Sequence, residues 1–154
     1  MRIRKRLGEM LIDAGLISED QLQQALAGQK KARLKLGQYL TQQGIVTEEE
    51  IIDQISRQLR IEKYDANKYP GNPSLAELVP YDMAQKLQLV PLSKRFNRFN
   101  LLTIAMVDPM DINALDTVEA HVNMEVEPVV CSERELSQLI STIYGMQSGM
   151  MELM

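Results

Sequence analysis

The residues best suited to binding chemistry occur twice in this chain, 29 positions apart. Each copy opens with a cation, Arg6 or Lys35, which is followed directly by Leu-Gly, and each copy closes on a glutamine, Gln29 or Gln58. A cation attracts an anion, a glycine lets a ligand approach the backbone closely, and a glutamine amide both donates and accepts hydrogen bonds. The repeated polar pattern therefore favours an anionic ligand with two similar halves.

The two copies align without a gap and share apolar positions as well. Residues 6–29 read RLGEMLIDAGLISEDQLQQALAGQ, and residues 35–58 read KLGQYLTQQGIVTEEEIIDQISRQ. The matched pairs are Leu7/Leu36, Gly8/Gly37, Leu11/Leu40, Gly15/Gly44, Leu22/Ile51, Leu26/Ile55 and Gln29/Gln58. Because glycine in a helical turn costs about 1 kcal/mol relative to alanine, Gly8 and Gly37 each need a reason. Two reasons stay open, which are close contact with a neighbouring helix and close approach of a ligand.

A helical hairpin is predicted to position the residues of the first copy. Apolar residues at i, i+3, i+4 and i+7 predict a helix over 5–14, and Gly15 is suited to end it. Ser18 followed by Gln21 is a capping-box pattern, which predicts the start of a second helix over 19–30.

The second copy repeats the same signals. Gly44 is the predicted helix stop, and Thr47 with Glu50 forms the second capping-box pattern before a helix over 48–59. Residues 1–60 are therefore predicted as a domain of four helices in two hairpins. The sequence leaves open whether a twofold axis or a translation relates the hairpins.

The remaining residues predict a small α/β domain, so that the whole chain is predicted to be α+β. Residues 61–80, rich in proline, are a predicted linker. The order of elements over 81–145 predicts a three-stranded sheet covered by helices, and the methionine-rich residues 146–154 are predicted as a flexible tail. The predicted elements are helices over 81–88, 111–121 and 133–144 and strands over 89–92, 100–107 and 126–130.

Three further residues of this half carry reactive groups. Asp108 follows the second predicted strand, where functional side chains often project; ligand contact and capping of the next helix are both open, and the cap is favoured. His121 has no partner pattern and is expected near a helix end. Cys131 is expected to be a small buried apolar group.

Composition and missing motifs exclude several classes of function. A single cysteine excludes an internal disulfide framework and is typical of a reducing, cytoplasmic compartment, and no apolar run approaches the roughly 20 residues that span a bilayer. No phosphate-binding GxxxxGK[ST] loop, no HExxH or CxxC metal spacing and no nucleophile–base pair occurs, so neither a catalytic nor a metal site is predicted. The net charge of −4 and the acidic starts of the second helices disfavour nucleic-acid binding.

The tandem motif resembles that of the MshEN domain, which forms the N-terminus of many assembly ATPases of type II secretion and type IV pilus systems (the GspE/PilB family). The family pattern is RLGxxLxxxGxxxxxxLxxxLxxQ, written twice with five residues between the copies. The first copy matches every specified position, and the second differs at Lys35, Ile51 and Ile55. The stretch LVPYDMAQKLQLVPLSKRFNRFNLLTIAMVDPMDINALD, particularly AMVDPMD at 105–111, is similar to the segment that follows this motif in the family.

This resemblance implies a non-catalytic regulatory and docking domain that binds cyclic di-GMP. The implied ligand-binding residues are Arg6, Leu7, Gly8, Leu22, Leu26, Gln29, Lys35, Leu36, Gly37, Ile51, Ile55, Gln58 and Asp108. It also implies a parent ATPase, expected to be a hexamer, whose catalytic domain lies beyond residue 154 and uses ATP and Mg²⁺. The implied partner is the cytoplasmic part of the inner-membrane assembly platform, through which the protein would be peripheral to the inner membrane.

Two residues of the second copy depart from the binding pattern and keep an alternative open. Lys35 lacks the planar fork of arginine, and Gln38 stands where binding members of the family are expected to carry an acidic residue. The alternative is a module that only docks onto the assembly platform and has a degenerate nucleotide site. The choice between a secretion and a pilus system is also left open.

Overall fold

The capping signals of the repeat correspond to four helices in a computed structural model that describes residues 6–96 and 100–153. The helices are α1 over Leu7–Asp13, α2 over Glu19–Ala32, α3 over Leu36–Gln42 and α4 over Glu48–Leu59. The Ser18 hydroxyl accepts a hydrogen bond from the Gln21 N–H at 3.1 Å, and the Thr47 hydroxyl accepts one from the Glu50 N–H at 3.1 Å. The predicted helices and their N-terminal caps are therefore confirmed.

The packing of these helices decides how the two copies are related. Helix α1 packs on α4, and α2 packs on α3. Consecutive copies related by a translation would bring α2 and α3 together but would leave α1 and α4 apart, whereas a twofold axis exchanges the two pairs. Leu11 and Leu40, which are equivalent in the repeat, are both fully buried. The repeat therefore forms a four-helix unit with pseudo-twofold symmetry.

The second unit of the chain begins at Glu62 and contains a three-stranded sheet in the order β1-β2-β3. The strands are β1 over Leu89–Phe96, β2 over Asn100–Met106 and β3 over Glu125–Val130, and the helices are α5 over Tyr81–Leu87, α6 over Ile112–Val122 and α7 over Glu133–Leu153. β1 is antiparallel to β2, and β3 is parallel to β2. Residues 102–106 are all buried, so both faces of β2 are covered. The predicted α+β fold is confirmed.

The segment 61–80, predicted as a linker, contributes to the core of the second unit. Tyr69 and Val79 are buried together with residues of the sheet and of α7. A 3-10 helix covers Pro73–Leu75, and its Leu75 is also buried. Gly71 adopts φ +96°, so the turn-forming residues shape a packed loop. Proline and glycine give the same local signal in a linker and in such a loop, which is why the prediction was wrong.

Helix α7 continues past its predicted end at residue 144. Its backbone is non-helical at Tyr144, with φ −113° and ψ 19°, but the helix then runs to Leu153 instead of forming the predicted flexible tail. Methionine, glutamine, leucine and glutamate are good helix formers, which outweighs the two glycines of this segment. No helix in the two described stretches of the chain is long and apolar enough to cross a membrane.

The N-cap of α6 is Asp111, not Asp108 as predicted. Asp111 Oδ1 accepts a hydrogen bond from the Ala114 N–H at 3.1 Å. Asp108 Oδ1 accepts one from the Met110 N–H at 3.1 Å, so this aspartate stabilises the turn that follows β2. Both aspartates have the preferred cap chemistry, and the helix begins at the later one.

The other signals in this unit agree with the structure. The predicted helix over 133–144 is present as the first part of α7, and Ser132 and Glu135 form a capping box at its start, with bonds of 2.9 and 3.1 Å. Cys131 is fully buried, and His121 is exposed in the last turn of α6.

Candidate ligand-binding site

The two Leu-Gly pairs of the repeat lie against each other. Leu7 Cδ2 is 3.4 Å from the position that a Cβ on Gly37 would occupy, which joins the start of α1 to the start of α3. Arg6 and Lys35 are the N-cap residues of these two helices, and both are exposed. The fold therefore brings together one cation and one Leu-Gly pair from each copy.

Gly8 and Gly37 are equivalent in the repeat, but their surroundings differ. A Cβ on Gly8 would lie 2.6 Å from Leu22 Cδ1, closer than side chains pack, so any other residue here would force Leu22 to move out of its contact between α1 and α2. A Cβ on Gly37 would lie 3.4 Å from Leu7 and 3.6 Å from Ile51, which is ordinary van der Waals distance. The helix-contact explanation therefore accounts for Gly8 and not for Gly37.

We expect alanine to have opposite effects at these two positions. Gly8→Ala should lower the free energy of unfolding by about 1–2 kcal/mol, because crowding the buried Leu22 outweighs the gain in helix propensity. Gly37→Ala should leave it unchanged or raise it by up to about 1 kcal/mol. Urea denaturation of the two variants beside the native protein measures both effects. Equal destabilisation by both substitutions would contradict this assignment.

The apolar residues implied as ligand contacts separate into two groups. Leu22, Ile51 and Ile55 are only 9%, 7% and 3% exposed, so they mainly hold the helices together. Leu7, Leu26 and Leu36 are half-buried and present apolar surface. Leu7, Leu26 and Leu36 can therefore contact a ligand through their exposed apolar surface without a rearrangement of the helices.

The polar residues implied as ligand contacts differ in what already binds them. The side chains of Arg6, Gln29 and Gln58 have no hydrogen-bond partner within residues 6–96 and 100–153, and Gln29 is half-buried. Gln38 Oε1, in contrast, accepts a hydrogen bond from the Lys35 N–H at 3.1 Å and so caps α3. The amide of Gln29 therefore has unused hydrogen-bonding capacity among the described residues, whereas the Gln38 carbonyl already bonds to the backbone at the start of α3.

Two residues near these groups received no role from the sequence. Gly28 lies inside α2, and the Tyr39 ring lies directly over it, where a Cβ would otherwise stand. A glycine in a helix interior costs about 1 kcal/mol, and this cost was the signal that could have identified the contact.

Asp108, the remaining implied ligand residue, belongs to the second unit and is half-buried in the turn after β2.

Comparison with known families gives a match between the MshEN domain model and residues 59–150. The chain belongs to the MshEN domain family. Nearly all of the matched residues lie in the second unit, and none of them belongs to the tandem motif at 6–58. Two separate parts of this MshEN domain therefore indicate the same family.

The relatives of this MshEN domain include type IV pilus assembly ATPases named PilB. The chain is 30% identical to PilB of Myxococcus xanthus over 147 residues, which are 96% of this chain and 25% of that protein. It is 32% identical to PilB of Thermus thermophilus over 124 residues, which are 80% of this chain and 14% of that protein. The chain thus spans a quarter or less of these curated relatives.

Two solved structures share the fold of this MshEN domain. A structure of MshE with cdg (cyclic di-GMP) has a TM-score of 0.78 and 29% identity, and the match covers 92% of this chain and all of that one. The N-terminal domain of XpsE has a TM-score of 0.72 over 92% of this chain and 98% of its own, and at 21% identity it shows the fold alone. This MshEN domain is therefore of the N-terminal type found in PilB-like assembly ATPases.

Proposed function

We propose that this MshEN domain is a regulatory and docking domain that binds cyclic di-GMP through its tandem repeat. The observation that carries the proposal is the similarity to MshE, whose structure with cdg matches 92% of the chain at 29% identity. The first copy of the motif, which contains Arg6 and Gln29, is complete in this sequence. The contact between Leu7 and Gly37 joins the two copies, as a ligand with two similar halves requires.

The chemistry of the first copy suits a guanine nucleotide. Arg6 is exposed and presents a planar fork of N–H donors, which matches guanine O6 and N7 or a phosphate. The half-buried Leu7 and Leu26 offer an apolar surface to a purine face. Gln29, whose amide is unused by the described residues, can donate to and accept from a base or ribose edge.

The second copy supports a weaker version of the same chemistry. Leu36 is half-buried like its counterpart Leu7, and Gly37 has no packing reason to be a glycine, which leaves close approach of a phosphate as its role. Gln58 is exposed, and Lys35 supplies charge without a planar fork. Exposed cations at the end of α2 add positive charge near this copy; they are Lys30, Lys31 and Arg33.

The proposal extends to the protein of which this domain would be a part. The relatives are about four times longer or more, and we assign ATPase chemistry, with ATP and Mg²⁺, to a region outside these residues. The domain itself would be non-catalytic and would act in a hexamer. Its protein partner would be the cytoplasmic part of an inner-membrane assembly platform, which would place it at the cytoplasmic side of that membrane.

Gln38 favours a second candidate function. Its carbonyl caps α3 through the Lys35 N–H, and it carries no negative charge to offer guanine N1 and N2. A domain with such a second copy would keep the fold only as a docking module for the assembly platform.

Calorimetric titration of cyclic di-GMP into the domain decides between the two functions. We expect saturable binding that Arg6→Ala weakens by about 10-fold or more, since a charge-assisted hydrogen bond contributes about 1.5–3 kcal/mol. Arg134→Ala, which removes an exposed arginine from α7, is the matched control and should bind like the native protein. Asp108→Ala tests the one implied residue outside the repeat.

The opposite result is equally specific. If the folded native protein, checked by circular dichroism, takes up no cyclic di-GMP at high excess, the receptor function is wrong and the docking function remains.

A further inference from the structure

The contact between Gly28 and Tyr39 departs from the symmetry of the four-helix unit. The Tyr39 ring and hydroxyl lie over the Gly28 Cα, in the space that any other side chain at position 28 would fill. The equivalent of Tyr39 in the first copy is Met10, which is only 1% exposed, and the equivalent of Gly28 in the second copy is the exposed Arg57. One of the two equivalent crossings thus holds a buried thioether, and the other holds a half-buried phenol.

The hydroxyl oxygen of Tyr39 is the ring substituent nearest to Gly28, and its capacity for hydrogen bonding is not used in this packing. Throughout the described ranges 6–96 and 100–153, no donor or acceptor forms a hydrogen bond with it. A phenylalanine ring would keep Cζ and Cε1 over Gly28 and would lose only the hydroxyl oxygen. A half-buried phenol that the protein leaves without a partner is a hydrogen-bonding group available to a molecule from outside.

The residues around the contact belong to the site of the proposed function. Gly28 directly precedes Gln29 in α2, and Tyr39 directly follows Gln38 in the helix that begins with Leu36 and Gly37. The phenol therefore lies at the contact of α2 with α3, on the residue that precedes Gln29 along α2.

The second copy also lacks polar groups that the first copy has. Lys35 stands in place of the planar arginine, and the Gln38 carbonyl is engaged in capping α3. Tyr39 has no polar counterpart in the first copy. Its hydroxyl adds a hydrogen-bond donor to the second copy, next to Gln38 in the sequence.

We propose that Tyr39 is a further ligand-contacting residue, whose hydroxyl donates a hydrogen bond to an acceptor on the half of a cyclic dinucleotide bound by the second copy. The acceptor is a phosphate oxygen or guanine O6 or N7, all of which accept from a phenol. This inference rests on the proposed function. It makes the two half-sites chemically different, although the ligand has two equal halves.

Tyr39→Phe tests the inference, because it removes the hydroxyl and keeps the ring on Gly28. We expect calorimetry to show roughly two- to tenfold weaker binding of cyclic di-GMP, as for the loss of one hydrogen bond, with an unchanged thermal midpoint. Tyr81→Phe, which removes a hydroxyl from the second unit, is the matched control and should bind like the native protein.

Gly28→Ala provides an independent variant, because the added Cβ displaces the Tyr39 ring. It should weaken binding by at least as much as Tyr39→Phe, and the double variant should bind no more weakly than Gly28→Ala alone. Native binding that is lost in Arg6→Ala but unchanged in Tyr39→Phe would overturn this inference and leave the proposed function intact. A lower thermal midpoint for Tyr39→Phe would also overturn it, since the hydroxyl would then be structural. Absence of binding by the native protein would overturn both.

Discussion

Leu40→Ala is expected to lower the free energy of unfolding of the four-helix unit by about 2–5 kcal/mol. Leu40 lies in α3 and is fully buried. The truncation therefore reduces the apolar surface that is buried on folding, and it leaves a cavity among the helices. A unit of this size buries a modest core, and a loss of this magnitude is a large part of the stability of a small domain. Circular dichroism at 222 nm during thermal unfolding measures the change.

The repeat supplies a matched variant for this experiment. Leu11 is the equivalent of Leu40 and is also fully buried, so the pseudo-twofold arrangement predicts a similar loss for Leu11→Ala. Leu34, which is half-buried in the connection between the copies, should cost clearly less when it is replaced by alanine. A small effect of Leu11→Ala beside a large effect of Leu40→Ala would contradict an equivalent core in the two copies.

Hydrogen exchange extends the same experiment to the second unit. That unit has its own core around β2, so we expect its strand amides to stay protected in Leu40→Ala while amides of the four helices exchange faster. Loss of protection in β2 would mean that the two units unfold as one cooperative body.

Alkaline pH is expected to destabilise the second unit through Tyr144. Its ring is 2% exposed, its hydroxyl donates a 2.5 Å hydrogen bond to the Val79 carbonyl, and its ring meets that of Tyr81 edge-on at 5.7 Å. Burial raises the pKa of Tyr144 well above its ordinary value near 10. The folded protein therefore keeps this phenol protonated at a pH where the unfolded chain ionises it.

The sign of the effect follows from this difference. Below pH 10, Tyr144 is neutral in both states and its contribution to stability is complete. Above pH 10, only the unfolded state loses the proton, so the free energy of unfolding falls by about 1.4 kcal/mol for each pH unit until the folded pKa is reached. Urea denaturation at a series of pH values from 8 to 12 measures the slope.

Tyr144→Phe isolates this contribution. It should cost about 1–2 kcal/mol at pH 7, because the Val79 carbonyl loses its donor in a buried place, and it should flatten the alkaline slope. An equal slope in the variant and the native protein would contradict the role of Tyr144.

Two other groups titrate in the same pH range. They determine how the free energy of unfolding of Tyr144→Phe still depends on pH. The pKa of Tyr64 is raised by burial and then by the nearby charge of Glu135. The pKa of Lys68 is raised by its hydrogen bond to Glu62, so its contribution is present below its ordinary pKa and is lost as the pH rises through the raised value.

The sequence by itself determined the features that depend on residues within one or two helical turns. The capping boxes that begin at Ser18 and Thr47 were predicted correctly, since their side chains bond the neighbouring backbone. The order of helices and strands was also predicted correctly, because it follows from the periodicity of apolar residues and from turn-forming residues. The family could also be predicted from the sequence, because the tandem motif has specified residues at fixed spacing.

Ambiguous local signals gave the wrong predictions. Asp108 and Asp111 both have cap chemistry, and only the course of the chain after β2 selects Asp111. Residues 61–80 contain the same prolines in either a linker or a packed loop, and burial of Tyr69 and Val79 against distant elements decides for the loop.

Only the tertiary structure decided what equivalent residues of the repeat do. Gly8 and Gly37 follow the same leucine in the same pattern, yet Leu22 lies against the first and leaves no room for a Cβ, while the neighbours of the second stand at ordinary distance. Gly28 and Tyr39 are eleven positions apart and meet because α2 packs on α3. Local sequence determines which elements form, but steric fit between side chains of different helices determines which glycines are structural and which polar groups stay available to a ligand.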